Sequence, residues 1–334
     1  MGMKVGINGF GRIGRLVLRL GMERPDIEFV GINSHSQTPD YMAYLLKYDS
    51  VHGRYQGEVS WDGDDLIVNG RRIRVFHCEE PHEITWSSVG AEYIIESTGK
   101  FTTAEKMKGH LAGGAKKVLL TAPSKDDTPM FVMGVNNTSY DKSMDFVSNA
   151  SCTTNCLAPV AKVLNDAFGI RHGLMTTIHS YTMSQRILDG SHKDLRRARA
   201  ACVSMIPTST GAAKALALVV PELKGKLDGM AVRVPTPDIS LVDLTCELEK
   251  PATAEEINAA LKAAHDGALH DNMGYCDEPL VSIDFKGSTY GGVVDALSTQ
   301  VMDGTMAKLI IWYDNESGFT NQLARLLRKV AASL

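Results

Sequence analysis

The sequence contains 334 residues, of which 44% are hydrophobic and 22% are charged, and its formal net charge is -4. This length exceeds the usual size of one hydrophobic core, so we expect two domains, and the composition excludes a disordered chain. The negative charge argues against a general nucleic-acid or membrane binder, and no apolar run approaches the ~18 residues of a membrane span.

Short apolar runs alternate with amphipathic stretches in the first half of the chain. The runs cover residues 4–7, 28–32, 93–96, 117–121 and 146–148. This rhythm predicts a mainly parallel sheet covered by helices, which is an α/β fold of the doubly wound Rossmann type over residues 1–150. Because the chain enters its first strand at once, without the pattern of a signal peptide, we expect a cytoplasmic protein.

Longer β-rich segments follow in the second half, at residues 173–179, 230–234, 239–248 and 306–313. They predict a mixed or antiparallel sheet in an α+β catalytic domain over residues 151–317. Residues 318–334 are predicted to form a helix that docks back onto the first domain. Its apolar stripe comprises Leu323, Leu326, Leu327, Val330 and Leu334.

A glycine-rich turn joins the first predicted strand to an amphipathic helix. The first glycine of such a turn permits a tight bend, the second lets a pyrophosphate approach the backbone, and the third allows helix and strand to pack closely. The helix N-terminus then faces the phosphate charge. This context predicts a dinucleotide-binding domain, with a glycine-rich turn that binds nothing as the alternative. The predicted binding residues are Gly9, Gly11, Arg12, Ile13 and Gly14.

The end of the second predicted strand bears on the choice of cofactor. About 20 residues after the glycines, an acidic side chain normally binds the ribose 2'-hydroxyl of NAD. The sequence has Ser34 at this point. A neutral hydroxyl does not repel a 2'-phosphate, so the sequence admits NADP as well as NAD.

Hydroxyl and amide side chains surround Cys152, directly after a predicted strand and before a helical segment at residues 157–168. A cysteine at a helix start feels the positive pole of the helix, which favours the nucleophilic thiolate. Pro159 lacks an amide hydrogen, which suggests a kink or a later start of the helix. Cys156 is the alternative nucleophile, although its position favours a small buried residue.

Six cysteines are scattered along the chain. None forms a CxxC pair or a cluster with metal-ligand spacing, so we expect free thiols and no metal site. They are Cys78, Cys152, Cys156, Cys202, Cys246 and Cys276.

His179 ends the predicted strand at residues 173–178 and opens a polar loop. An imidazole has a pKa near neutrality, so His179 suits a base that activates a thiol and later serves as an acid. A histidine held by structural hydrogen bonds is the alternative.

The chain resembles the phosphorylating glyceraldehyde-3-phosphate dehydrogenase family over essentially all of residues 5–327. The matching stretches are residues 7–15, 148–156, 192–197, 211–214 and 312–316. Their occurrence in order along one chain makes the similarity specific. The resemblance implies a homotetramer, with residues 185–201 near a subunit contact.

The resemblance also implies the reaction. The Cys152 thiolate attacks the aldehyde of D-glyceraldehyde 3-phosphate to give a hemithioacetal. His179 accepts the hydroxyl proton while hydride passes to the nicotinamide of NAD or NADP. Inorganic phosphate then attacks the resulting thioester and releases 1,3-bisphosphoglycerate.

Two anion sites and a nicotinamide site follow from the same resemblance. Thr182 and Arg233 correspond to the site for the phosphate of the substrate. Asn315 corresponds to the residue that holds the nicotinamide carboxamide, and Thr121 to one near the nicotinamide ribose. Arginine forks and hydroxyl donors suit phosphate oxygens. The attacking phosphate is assigned to Ser151, Thr153, Arg197, Thr210 and Gly211.

Several positions depart from the family pattern. Ser34 replaces the usual acid, and Gly190-Ser191 replaces a common Leu-Pro pair. The second change resembles the serine-containing version found in family members that accept NADP, so two positions point to this cofactor. Ser184 stands where the family often has Asp, in the site for the substrate phosphate. Ser317 and Phe319 replace an aromatic residue and a tyrosine next to the nicotinamide position.

Two other functions compete with this hypothesis. A dehydrogenase for erythrose 4-phosphate would share the cysteine and the histidine, but residues 122–124 and 209–211 favour the three-carbon substrate. The other alternative is a catalytically silent protein that binds nucleotide or RNA. Its basic face would comprise Arg186, Lys193, Arg196, Arg197 and Arg199. Because Cys152, His179 and Arg233 are all present, we expect no nucleic acid as the primary partner.

Overall fold

The computed structural model describes residues 2–333. Met1, in the predicted first domain, and Leu334, at the end of the predicted apolar stripe, lie outside the described residues. The described chain divides into two compact units. The first comprises residues up to 131, 139–150 and those from 323 onward, and the second comprises 132–138 and 151–322. Within residues 2–333, no helix is both long and apolar enough to cross a membrane.

The first unit is built on a sheet whose central strands are parallel. The spatial order is β3-β4-β5-β2-β1-β6-β7-β8 over the described residues. Neighbouring strands from β5 to β8 in this spatial order run parallel, whereas β4 is antiparallel to both β3 and β5 at one edge. The strands are β1 (Met3–Asn8), β2 (Ile27–Asn33), β3 (Val59–Asp62), β4 (Asp65–Val68), β5 (Arg71–Phe76), β6 (Tyr93–Glu96), β7 (Lys117–Leu120) and β8 (Phe146–Ser148).

Helices connect the parallel strands of the first unit, and the predicted doubly wound α/β fold is confirmed. They are α1 (Arg12–Gly21), α2 (Pro39–Lys47) and α3 (Ala104–Ala112). All five predicted apolar runs coincide with strands of this sheet, although the run at residues 117–121 extends one residue past β7; Val5 and Ile7 of β1, for example, are completely buried. The strand order reverses on either side of β1. In open α/β sheets, such a switch point is where ligands bind, at the carboxyl ends of the strands.

The second unit contains a mixed sheet, as predicted. In the described chain its spatial order is β10-β11-β9-β12-β15-β14-β13. β11 is parallel to β9 and β13 to β14, whereas the other neighbours are antiparallel. Side chains along β12 alternate between buried and partly exposed, so one face of the sheet is more deeply buried than the other. The strands are β9 (Ile170–Ser180), β10 (Ile206–Ser209), β11 (Leu227–Val234), β12 (Ser240–Leu248), β13 (Met273–Cys276), β14 (Gly292–Met302) and β15 (Met306–Tyr313).

Four further helices follow residue 150. They are α4 (Cys152–Phe168), α5 (Ala212–Val219), α6 (Ala254–Asp266) and α7 (Ser317–Ala331). α4 begins at Cys152 and continues through Pro159, so the later start suggested by the proline is wrong. Ser151 caps the first turn, and the burial of Leu157 and Leu164 outweighs the hydrogen bond that proline cannot donate.

The last helix carries the predicted apolar stripe. Leu323, Leu326, Leu327 and Val330 are all buried. These residues belong to the part of α7 that clusters with the first unit, whereas residues 317–322 cluster with the second. In the first unit, Arg328 Nε and Nη2 donate hydrogen bonds to the Asp26 carboxylate at 2.5 and 2.7 Å.

Candidate active site

The glycines after β1 have three different structural roles. Gly9 has a φ of +95°, and a Cβ there would lie 2.8 Å from the backbone nitrogen of Thr98. A Cβ on Gly14 would lie 2.1 Å from the carbonyl oxygen of Gly9. A Cβ on Gly11 would have no described atom within 4 Å, so Gly11 faces open space. The turn therefore leaves room for a ligand beside Gly11.

The start of α1 has the properties of an anion site. Its cap position is Gly11, which has no side chain to bond the first amides of the helix. Amides at a helix N-terminus bind phosphate groups, and the backbone of Ile13 and Gly14 lies in this first turn. The side chain of Arg12 pairs with Asp49, at 2.8 Å between Nη1 and Oδ2. These residues fit the pyrophosphate of a dinucleotide.

A cleft opens in the first unit at the carboxyl ends of β1, β2 and β6. Its lining includes Gly9, Gly11, Asn33, Ser34 and Thr98. Ser34 is buried, and its hydroxyl donates to Gln37 Oε1 at 3.0 Å. Thr121 follows β7 and donates to the carbonyl oxygen of Glu96 at 3.1 Å, outside the cleft lining. The cleft lining thus brings together Gly9, Gly11 and Ser34, whereas Gly14 and Thr121 lie outside it.

Cys152 and His179 face each other in the second unit, as the predicted nucleophile and base require. The distance between Cys152 Sγ and His179 Nε2 is 3.6 Å. Ser151 caps α4 by accepting a hydrogen bond from the Thr154 amide at 3.0 Å, which fixes the first turn that carries the thiol. Cys152 is partly exposed, whereas Cys156 is buried, with its thiol 3.8 Å from the Ile311 carbonyl oxygen. The geometry therefore favours Cys152.

The orientation of the imidazole follows from its second nitrogen. His179 Nδ1 lies 2.7 Å from the Ser180 carbonyl oxygen, which can only accept, so Nδ1 carries the proton. The lone pair of Nε2 then points towards the thiol. Arg233 Nη1 donates to the same carbonyl oxygen at 2.9 Å, so its 2.9 Å approach to Nδ1 is a contact between two N–H groups that share this acceptor. His179 is thus held as a neutral base with its acceptor nitrogen at Cys152.

Strand pairing explains why Arg233 reaches this position. β9 and β11 are parallel neighbours, and His179 is directly opposite Arg233 in their register. On the other side, Tyr313 of β15 packs its buried ring at right angles to the imidazole, with ring centroids 5.9 Å apart. Sequence reasoning did not single out Tyr313, because a tyrosine at the end of an apolar strand carries no signal of its own.

Burial dominates the electrostatics of the pair. It is the larger of two effects, burial and then the Arg233 charge, that together lower the pKa of His179 to about 3. Partial burial raises the pKa of the Cys152 thiol, although the Arg233 charge offsets part of this effect. Desolvation thus opposes the thiolate that the helix start was expected to favour.

All residues predicted for the two phosphate sites lie in the second unit. Arg197 Nε donates to Thr208 Oγ1 at 2.9 Å, and its Nη1 is 3.5 Å from Ser184 Oγ. Ser184 Oγ is also 2.9 Å from Thr182 Oγ1, so this serine bridges a residue from each predicted site. Sequence reasoning did not single out Thr208, because one hydroxyl in a short strand carries no signal of its own.

Gly211 occupies the cap position of α5, whose first turn is a second helix N-terminus in this unit. Thr210 Oγ1 accepts a hydrogen bond from the Ala212 amide at 3.2 Å. Gly211 itself offers no side-chain cap, so the later amides of this first turn suit an anion. Thr210 and Gly211 thus have the backbone geometry expected of phosphate ligands.

Three remaining predicted residues have partners of their own. Thr153 is buried, and its hydroxyl lies 2.9 Å from the Tyr313 hydroxyl. Asn315 is also buried, and its Oδ1 accepts a hydrogen bond from Ser240 Oγ at 2.8 Å. The exposed Ser191 accepts two hydrogen bonds from the Arg186 guanidinium through its carbonyl oxygen. Ser191 belongs to the second unit and Ser34 to the first.

Comparison with known proteins relates both units to one family. Residues 3–104 match the model of the glyceraldehyde 3-phosphate dehydrogenase NAD binding domain, and residues 151–315 match that of its C-terminal domain. The chain is 56% identical to the glyceraldehyde-3-phosphate dehydrogenase of Geobacillus stearothermophilus, over 99% of both chains. It is 55% identical to glyceraldehyde-3-phosphate dehydrogenase 1 of Bacillus subtilis, again over 99% of both. For the Podospora anserina enzyme the identity is 53%, over 99% of this chain and 98% of the relative.

Proposed function

The chain belongs to the glyceraldehyde 3-phosphate dehydrogenase family, and we propose that Cys152 and His179 carry out its reaction. It is an NAD-dependent oxidoreductase that converts D-glyceraldehyde 3-phosphate and inorganic phosphate to 1,3-bisphosphoglycerate. The observation that carries the assignment of the two residues is the distance of 3.6 Å between Cys152 Sγ and His179 Nε2. A thiol and a base at this separation can form a hemithioacetal and remove its hydroxyl proton when NAD accepts the hydride.

Each step uses the acceptor nitrogen of His179. Cys152 Sγ attacks the aldehyde carbon, and the thiol proton reaches the aldehyde oxygen through His179 Nε2, which gives the hemithioacetal. His179 Nε2 then accepts the hydroxyl proton as the carbon loses a hydride and becomes a thioester. Bound NAD supplies the hydride acceptor. A phosphate oxygen finally attacks the thioester carbon, and Cys152 leaves as a thiolate that recovers the proton from His179.

Two groups of side chains are proposed to bind the two phosphates. Thr182 and Arg233 bind the phosphate of the substrate, which agrees with the position of Arg233 beside the catalytic pair. The starts of α4 and α5 supply backbone amides for the second anion. The residues assigned to the attacking phosphate are Ser151, Thr153, Arg197, Thr210 and Gly211.

The cleft of the first unit is proposed to accept NADP as well as NAD. Gly9, Gly11 and the first turn of α1, with Arg12, Ile13 and Gly14, hold the pyrophosphate. The neutral hydroxyl of Ser34 lies in the cleft lining, where an acid would repel a 2'-phosphate. Ser191 is the second position that favours NADP, and Asn315 and Thr121 are assigned to the nicotinamide end.

Two apolar surfaces support the proposal of a homotetramer. One follows the segment at residues 183–205, and the other lies on the less covered face of the second sheet, which exposes Leu174 and Met230. A tetramer with dihedral symmetry needs two different self-complementary contacts, and the chain offers two apolar surfaces. Each side chain of the first surface is at least three quarters exposed. These side chains are Met183, Ile187, Leu188, Leu195, Val203 and Met205.

A cytoplasmic location is proposed from the state of the thiols. All six cysteines of the sequence are free within the described chain. Free thiols persist in the reducing cytoplasm, and a cysteine nucleophile must stay reduced to act.

The test compares two cysteines that share one helix. Cys152→Ala is expected to lower kcat/KM for glyceraldehyde 3-phosphate by at least about 10³-fold, because no thioester can form. Cys156→Ala is the matched control and should retain activity within about threefold. Appreciable turnover by Cys152→Ala would overturn the assignment.

The substrate is tested on the wild-type enzyme with and without inorganic phosphate. Phosphate-dependent NAD reduction is expected with glyceraldehyde 3-phosphate, and much less with erythrose 4-phosphate. Activity on erythrose 4-phosphate alone would contradict the substrate assignment. Failure of iodoacetamide to alkylate Cys152, together with absence of turnover, would favour a silent nucleotide- or RNA-binding protein.

A further inference from the structure

A buried carboxylate lies beneath the dinucleotide cleft. Glu96 ends β6 and is completely buried. Its Oε2 accepts hydrogen bonds from Asn8 Nδ2 at 2.5 Å and from His110 Nε2 at 3.1 Å. Its Oε1 accepts from the Thr98 amide at 2.8 Å and from the Thr98 hydroxyl. Both oxygens are thus occupied by donors, which is the pattern of an ionised carboxylate.

Trp86 fixes the proton on the histidine of this group. The indole Nε1 can only donate, and it lies 3.0 Å from His110 Nδ1. Nδ1 must therefore accept, so the proton of the neutral imidazole is on Nε2, where it points at Glu96. Trp86 and His110 are both completely buried. The carboxylate is held by neutral donors, and Trp86 fixes the direction of the one on His110.

The same carboxylate is linked to the ends of the strands that line the cleft. Asn8 at the end of β1 uses its Oδ1 to accept from Asn33 Nδ2 at 2.7 Å. Asn33 at the end of β2 accepts through Oδ1 from the Cys78 amide at 2.9 Å. Thr98, which Glu96 bonds twice, is the residue that a Cβ on Gly9 would approach.

We propose that Glu96 is a positioning residue for the dinucleotide, acting through Asn8 and Thr98 on the shape of the cleft. The inference rests on the proposed function only in that this cleft is the one that binds NAD. Burying a carboxylate opposes folding, whereas an apolar side chain would fill the same space without that loss. Three of the four donors that it fixes belong to Asn8 and Thr98, and Asn8 in turn bonds Asn33; all three residues line the cleft.

The direct test is Glu96→Gln. The amide keeps the shape of the carboxylate but replaces one acceptor oxygen by a donor, which must then oppose the Thr98 donors or those of Asn8 and His110. Titration calorimetry without aldehyde should show a Kd for NAD that is at least about tenfold higher in Glu96→Gln than in wild type. This is the effect expected from losing hydrogen bonds to a charged group. The KM for NAD should rise in parallel, while kcat at saturating NAD stays within about twofold.

A matched pair at His110 separates positioning from packing. In His110→Gln, the amide oxygen can accept from Trp86 Nε1 while the amide nitrogen donates to Glu96, so NAD affinity should remain within about threefold of wild type. His110→Leu fills the space but loses both hydrogen bonds, and its Kd should rise like that of Glu96→Gln. Equal affinities in this pair would show that only packing matters. This comparison also decides the question if Glu96→Gln does not fold.

The outcomes for the inference and for the proposed function are distinct. A wild-type enzyme that fails to bind NAD in the calorimeter would overturn the assignment of the cleft. Wild-type binding with an unchanged Kd in folded Glu96→Gln would overturn the role of Glu96 alone. A fall in kcat with no change in NAD affinity would also contradict it, since a positioning residue for the dinucleotide acts first on its binding.

Discussion

Lowering the pH from 7 to 5 is expected to leave the imidazole of folded His179 uncharged. Burial, followed by the Arg233 charge, lowers the pKa of His179 from 6.5 to about 3. The unfolded chain takes up this proton near pH 6.5, so between pH 6.5 and 3 it binds more protons than the folded chain. Stability therefore falls as the pH falls through this interval. The pKa shift corresponds to about 5 kcal/mol in full, of which about 2 kcal/mol is lost between pH 6.5 and 5.

The comparison that tests this expectation uses His179→Asn, which cannot titrate. Urea unfolding at pH 7, 6 and 5, at one protein concentration, should show that wild type loses about 2 kcal/mol more than the variant. Carboxylates titrate in both proteins and cancel in the difference. In ¹³C-labelled protein, the Cε1 resonance that disappears in the variant should keep its neutral position down to pH 5. Parallel stability curves, or a resonance that titrates near pH 6.5, would refute the reasoning.

Two further substitutions probe the cofactor site and the support of the catalytic pair. Ser34→Asp should lower kcat/KM for NADP at least about tenfold and leave that for NAD within about threefold, because the new charge repels the 2'-phosphate; equal losses for both cofactors would contradict this. Tyr313→Phe removes the hydroxyl that lies 2.9 Å from Thr153 Oγ1 and 2.7 Å from Thr177 Oγ1. It should lower the free energy of unfolding by about 1–3 kcal/mol, and unchanged thermal stability would exclude these hydrogen bonds as a support.

The first sheet could be predicted where its strands are buried on both faces. β6 and β7 consist of four consecutive buried residues each, so they stand out as apolar runs. The antiparallel strands β3 to β5 were missed, because β3 is exposed at three of its four positions and β5 alternates arginine with apolar residues. Such strands have little hydrophobic signal of their own, and pairing with a neighbour decides their structure.

The polar contacts of the site could not be predicted from local sequence. Cys152 was recognisable from its hydroxyl-rich neighbours, but its pairing with His179 rested on resemblance to a family. Arg233 comes to His179 from 54 residues away, through the register of two parallel strands. Glu96 looked like the last residue of an apolar run, and only the packing of α3 on the first sheet brings His110 to it. Contacts of this kind depend on topology rather than on periodicity.

Cys152 has to act as a nucleophile although burial disfavours its thiolate, and the charge of Arg233 bears on this conflict. Burial disfavours both the thiolate and the imidazolium, so the pair is neutral before substrate binds. Moving the proton from Cys152 to His179 would create two charges about 4 Å apart, whose attraction recovers about 4 kcal/mol at an effective dielectric constant of 20. Arg233 lowers the pKa of both groups, so it changes the free energy of this internal transfer little.

The larger effect of Arg233 is on the total charge of the pair. Because its guanidinium lowers the pKa of the thiol and of the imidazole together, it favours the state that has lost one proton altogether. In that state Cys152 is a thiolate while His179 remains neutral with Nε2 unprotonated. Attack on the aldehyde needs this free nucleophile, whereas in the neutral pair the thiol proton must first pass to His179. We therefore propose that Arg233 assists the chemistry through its charge, in addition to the binding of a substrate phosphate proposed above.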